Sequence, residues 1–332
     1  MMTRGSFLNR RLFQAGEGGP PALRRRPILA AVCVSLTIAG GMALAQPWMQ
    51  RGNGPVRIPE DRMGIPNWSV DEKYRKDVFT FCRVQYDSVP RPVGAFGGGG
   101  GFGGGGPRRG GGRGYGRGGG WGRGPGWLTD FPDSDLNFSF RLQQLTSFRV
   151  NPEPTNRRLT APDLADFPFL YMIEPGWLLF SEDEVKALRH YLLNGGFLMV
   201  DDFWGDQEWA LFYEQIKRVF PDREAQELDI SHEIFRTVYK LKELPQVPSI
   251  RSMYFARENG VTYEPGHGGN TEQVHYRAFF DDKGRMMVLI CHNTDLGDGW
   301  EEEGVDPWYF QEFASKRAYP MGINIVTYAM TH

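Results

Sequence analysis

The sequence predicts an α/β protein: a flavodoxin-like, three-layer, mostly parallel sheet. Three observations carry that expectation. Short runs such as Phe169-Leu170-Tyr171-Met172-Ile173 and Phe197-Leu198-Met199-Val200 are apolar on both side-chain faces, as strands covered on both sides must be. Amphipathic segments of helical period stand between them. Alternation of the two, with right-handed crossovers, makes the strands parallel and puts helices on both faces.

The elements follow in chain order. Arg24-Arg25-Arg26 precedes an uncharged run from Pro27 to Ala45 that closes in Ala43-Leu44-Ala45. That is a basic region, an apolar region and a small-x-small cleavage site. Residues 1–45 are therefore expected to be a cleaved signal peptide, or an uncleaved membrane anchor, since the run approaches the ~20 residues a span needs. Either places the remainder outside the cytoplasm, in the periplasm or anchored facing it. Residues 46–77 are polar and proline-punctuated and read as a linker, with the α/β domain occupying 78–332.

Val78 to Tyr86 alternates as a first strand. From Gly94 to Gly126 the composition collapses into glycine, arginine and a few aromatics. Such a tract buries too little apolar surface to offset its ordering entropy, so 94–126 is expected to be a disordered insertion within the domain. Arg113-Gly114-Tyr115-Gly116-Arg117 mixes cation and aromatic as single-strand nucleic-acid binders do. An exported protein seldom meets RNA, and a net charge of −2 gives no attraction to it, so no nucleic-acid partner is expected.

Beyond the tract, Phe138, Leu142 and Leu145 share one helical face behind Asp133, Ser134 and Asp135. Ser181 with Glu184 forms a capping box for a helix carrying Val185, Leu188 and Leu192 on one face, stopped at Asn194-Gly195-Gly196. Trp209, Phe212, Ile216 and Val219 mark a further helix, with Asp206 as its cap and Pro221 as its stop. Leu241 to Gly269 reads as irregular. Val274 to Phe280 and Met286 to His292 are strands around the turn Asp281-Asp282-Lys283-Gly284. A helix is expected near Phe310 to Lys316, and periodicity leaves Gly322 to Met330 open between helix and strand.

Ligands of open α/β sheets sit outside the carboxyl ends of the strands, so Asp201 and Asp202, closing the central run, are candidate ligand-binding residues. Adjacent strand side chains point to opposite faces, so both reach one ligand only if the chain turns, as Phe203-Trp204-Gly205 permits. Alternatively one aspartate caps the next helix while the other accepts loop amides. Asp130, Asp133 and Asp135 can supply oxygen ligands to calcium or magnesium, or complement a helix dipole. His232, just past a strand-like segment, is a further ligand candidate. A divalent metal is the one cofactor these residues suggest. Cys82 and Cys291, the cysteines left after the leader, lie in strand interiors and read as small buried hydrophobes. No His-Glu-x-x-His, Gly-x-Ser-x-Gly or Gly-x-x-x-x-Gly-Lys motif occurs.

The segments Phe79 to Tyr86, Trp127 to Pro132, Phe167 to Tyr171, Gly195 to Gly205 and Met321 to Asn324 together resemble the bacterial domain-of-unknown-function family 4159. The resemblance implies a fold similar to class I glutamine amidotransferase-like domains. It also implies membership in an envelope assembly with a MoxR-type ATPase and von Willebrand A domain proteins. Active amidotransferase-like domains carry a cysteine on the turn after the glycine pair and its strand, served by a histidine. Here that turn carries Asp201 and Asp202, which makes amide transfer an unexpected activity. The leading expectation is an exported, non-catalytic ligand- or partner-binding module. The alternative is a metal-assisted hydrolase using Asp130, Asp133, Asp201, Asp202 and His232.

Overall fold

The computed structural model describes residues 55–74, 77–89 and 126–332. The predicted leader and nearly all of the glycine-arginine tract lie outside these residues. Among the described residues no helix is long and apolar enough to cross a membrane.

Among the described residues nine strands form: β1 (Cys82–Gln85), β2 (Asp87–Ser88), β3 (Thr155–Arg158), β4 (Phe169–Ile173), β5 (Leu178–Leu179), β6 (Phe197–Asp201), β7 (Gln226–Glu227), β8 (His275–Phe280) and β9 (Met286–His292). Seven of them make one sheet in the order β3-β1-β4-β6-β9-β8-β7, and β2 pairs with β5 alone. The first five are parallel, whereas β8 and β7 continue the sheet antiparallel. Numbered in chain order, the parallel strands run 2-1-3-4-5, consistent with a flavodoxin-like fold. The longer helices among the described residues are α1 (Asp133–Leu145), α2 (Glu182–Leu193), α3 (Gly205–Val219), α4 (Met253–Asn259), α5 (Leu296–Glu301) and α6 (Tyr319–Thr331), the last entered through a short helical turn, Pro307–Tyr309, and a π-helical stretch, Phe310–Ala318.

The period-2 alternation of the central strands divides the core in two. Phe169, Tyr171, Ile173, Phe197 and Met199 pack on one face with Phe138 and Leu142 of α1 and Ile323 of α6. Leu170, Met172, Leu198 and Val200 pack on the other with Leu188 of α2 and Phe212 and Ile216 of α3. These strands are buried at every residue, which is why their sequence shows no polar face.

Several elements depart from the expectations. Thr155-Asn156-Arg157-Arg158 has no apolar residue, yet it is edge strand β3. Its buried Asn156 accepts from Gln85 Nε2 at 2.6 Å and exchanges bonds with the Val56 backbone, at 2.8 Å and 3.0 Å. Val56, within the predicted linker, thus bonds to the domain, and Trp68 Nε1 also donates to Val150 O at 2.7 Å. Asp206 does not cap α3; Trp204 holds that position, with its amide donating to Glu208 Oε2 at 3.0 Å. Gly322 to Met330 is helical within α6. Tyr319, Met321 to Val326 and Tyr328 are all buried, so the helix has almost no polar side to mark its period.

The α2–β6 connection depends on a close approach. A Cβ added at Gly196 would stand 2.2 Å from the Tyr191 ring, whose hydroxyl donates to Phe167 O at 2.7 Å. Gly196→Ala is expected to cost about 1–3 kcal/mol through overpacking, read as a lower urea midpoint with unchanged slope.

Candidate metal centre

The strand ends turn sharply where the acids stand. Among the described residues five non-glycine positions have positive φ, and four lie at this edge: Asp130 (φ 59), Glu174 (φ 49), Asp202 (φ 56) and Asn293 (φ 60). Asp and Asn adopt this region more readily than other L-residues, because their short side chains bond locally. Glu174 follows β4, Asp202 follows β6 and Asn293 follows β9. The left-handed turns knit to one another: Glu174 N donates to Asp201 O (3.1 Å), Asp202 N to Thr294 O (3.2 Å) and Asn293 N to Phe203 O (3.0 Å). Gly205 N donates to Asn293 Oδ1 at 2.8 Å, and Gly205, at φ 76, has Gly268 O where a Cβ would stand.

Asp130 reaches the same edge from the loop ahead of α1. Arg83, fully buried on β1, builds that loop. Its Nη1 donates to the carbonyls of Trp127 (3.0 Å) and Thr129, its Nη2 to Ser134 Oγ (2.8 Å), and its Nε to both oxygens of Asp135 (3.1 Å each). The guanidinium also stands over the rings of Phe131 and Tyr171, 5.6 and 5.3 Å from their centres.

Two carboxylate triads result, and they share Asp130. Single oxygens of Asp130, Asp202 and Asp295 lie within 4.8 Å of one another, and so do those of Asp130, Asp298 and Glu301. A hard cation holds oxygens at about 2.0–2.6 Å, so its ligands stand at most about 5 Å apart. Asp130, Asp295 and Asp298 are buried, while Asp202 and Glu301 are half-buried. Asp202 Oδ1 accepts from Trp204 Nε1 (3.2 Å), Asp295 Oδ1 from Asp298 N (2.8 Å) and Asp298 Oδ2 from Ile250 N. Asp130 Oδ2 and Asp201 Oδ1 are buried with no hydrogen-bond partner among the described residues. Asp130 Oδ2 faces the first turn of α5, 2.9 Å from where a Cβ on Gly297 would stand, so only glycine fits there.

The electrostatics follow from burial of like charges. Burial, ahead of the opposing pull of Arg83, pushes Asp130 up to about 7. Burial raises Asp201 to about 8 against bonds from Gly297 N and Tyr171. Burial and then the Asp130 and Asp298 charges lift Glu301 to about 11. Asp202, Asp295 and Asp298 are raised well above the ordinary carboxylate range, by burial first and neighbouring acids second. Near neutral pH these groups hold protons or a cation; they cannot all be bare anions together.

The candidates named from sequence separate. Asp130 and Asp202 meet in one triad. Asp201 lies beside it, but its Oδ2 accepts from Tyr171 OH (3.2 Å) and Gly297 N (3.0 Å), and it is not a member of either triad. Asp133 sits in the first turn of α1, outside both triads. Asp135 is taken up by its ion pair with Arg83. His232 is at the opposite edge of the sheet, where its Nδ1 accepts from Ile234 N at 3.2 Å and its ring lies 6.4 Å from Phe280, across from the start of β9. Burial lowers its pKa, and the residue serves as a cap rather than a member of the acidic cluster.

Sequence reasoning missed Asp295, Asp298 and Glu301. Two signals pointed to them: the strand-end rule applies to β9 as it does to β6, and a spacing of three residues stacks acids on one helical face.

A family model described as Domain of unknown function (DUF4159) matches residues 116–330. No curated protein matches the chain.

Proposed function

The chain belongs to that family of uncharacterised domains, and from this premise we propose that it is a divalent-cation-dependent binding module. In this reading Asp130, Asp202 and Asp295 hold the cation. One observation carries it: Asp130 Oδ2, buried and without a hydrogen-bond partner among the described residues, belongs to a carboxylate that bonds Glu301 and faces Asp202 and Asp295 at cation-ligand spacing. A hard cation satisfies that oxygen and compensates the crowded charge in one step. Bound there, it would supply a Lewis-acidic centre beside Asp202, suited to an oxyanion or carbonyl oxygen of a ligand.

The reading retains the exported setting and, through the family resemblance, an envelope assembly with a MoxR-type ATPase and von Willebrand A domain partners. It also retains a fold akin to class I glutamine amidotransferase-like domains, without their chemistry. The turn after β6 carries Asp202, and Cys82 and Cys291 are buried in β1 and β9 with thiols pushed up by burial. A buried neutral thiol is no nucleophile.

A metal-assisted hydrolase is the second reading, and Asp201 favours it. Its Oδ1 is buried beside Asp202 with no hydrogen-bond partner among the described residues, and once ionised, above about pH 8, it can take a proton from an attacking water.

Isothermal titration of chelator-treated protein with Mg²⁺, Mn²⁺ and Ca²⁺ tests the proposal. Saturable binding is expected, weakened more than ~100-fold by Asp130→Asn, since even outer-shell partners are worth ~10–100-fold. A wild-type protein that binds none of the three ions would sink the reading.

A further inference from the structure

Building on that reading, we infer that the edge takes two divalent cations rather than one. Asp202 and Asp295 hold the first, Asp298 and Glu301 the second, and Asp130 bridges them. The two triads have only Asp130 in common; Asp202 of the first follows β6, and Asp298 and Glu301 of the second lie on α5, which Asp295 caps. A carboxylate has two oxygens and can give one to each of two ions about 3.5–4 Å apart, the spacing of dinuclear sites.

The hydrogen bonds favour this division. Asp295 caps α5 by accepting from Asp298 N, so the two side chains leave the backbone one helical turn apart. Asp202, Asp295 and Asp298 each accept a donor on one oxygen, which fixes the carboxylate plane. Glu301, one turn beyond Asp298, closes the second triad as its half-buried member, and Asp130 Oδ2 is aimed at Gly297, between Asp295 and Asp298.

Charge points the same way. The five carboxylates of the two triads, when ionised, leave three negative charges uncompensated by one divalent ion and a single one by two. All donors are oxygens, which selects magnesium, manganese or calcium over softer ions.

Mn²⁺ titration of the full chain, by calorimetry and by electron paramagnetic resonance, tests the division. Two ions per chain are expected, with an exchange-coupled spectrum at saturation. Glu301→Gln is expected to leave one ion and an uncoupled spectrum, and Asp202→Asn likewise. One ion per wild-type chain, or two ions still bound by Glu301→Gln, overturns the inference while the cation-binding reading stands. No ion at all fails the reading on which it rests.

Discussion

Arg83→Met is expected to destabilise the domain by about 3–5 kcal/mol, the cost of leaving a buried charge without its partner. Arg83 and Asp135 both have fully buried side chains, so solvent cannot take over from the missing guanidinium. The double variant Arg83→Met with Asp135→Leu is expected to recover most of that loss, because apolar groups of similar volume avoid the desolvation of both ions. Cation affinity should not recover with it. Neither methionine nor leucine can tie down the carbonyls of Trp127 and Thr129, the bonds that set the loop presenting Asp130. Urea unfolding and calorimetric titration of both variants separate the two effects. A double variant that is stable and binds cations like the wild type would show that the loop needs no anchor.

Between pH 7 and 9 the chelated protein is expected to lose stability as pH rises. In the unfolded chain every Asp and Glu is already ionised in this window. In the folded chain Asp130 and Asp201, raised to about 7 and 8, are still giving up protons. The folded state therefore binds more protons than the unfolded one, and the slope of unfolding free energy against pH is negative. Each group that titrates here contributes up to about 1.4 kcal/mol per pH unit. His292, held down to about 3 chiefly by burial, adds an opposite slope between its folded and unfolded values. That contribution is spent by about pH 7, taking an unfolded histidine at about 6.5. Saturating Mg²⁺ should flatten the fall, because the cation holds the anionic form. Thermal melts at pH 7, 8 and 9 with chelator or Mg²⁺ measure both slopes; a chelated protein whose melting temperature rises with pH contradicts protonated acids in the cluster.

The central strands and helices were legible because burial writes itself into residue type. Phe169 to Ile173 and Phe197 to Val200 must be apolar on both faces, and Ser181 with Glu184 announces its helix by a local bond pattern that the structure retains. Edge strand β3 left no such trace, since its Thr and Arg side chains are only half-buried and its buried Asn156 is satisfied by Val56, 100 residues away in the chain. Of the acidic cluster, Asp130 and Asp202 could be picked out, one by its acidic neighbourhood and one by its strand end. Their meeting could not, because it depends on left-handed turns at Asp130 and Asp202 and on a buried arginine from β1. Asp133 and Asp135 looked equivalent to Asp130 in sequence. Helical geometry points them elsewhere, and Asp135 finds Arg83 before it can find an ion.

The two apolar layers close around the sheet without help from the carboxylates, which gather only at its rim. On the proposed cation-binding reading, folding and ion loading are thus separable steps. A chain that matures bare can pick up its ions later from whatever medium surrounds it, so occupancy would track local mineral supply rather than the success of folding.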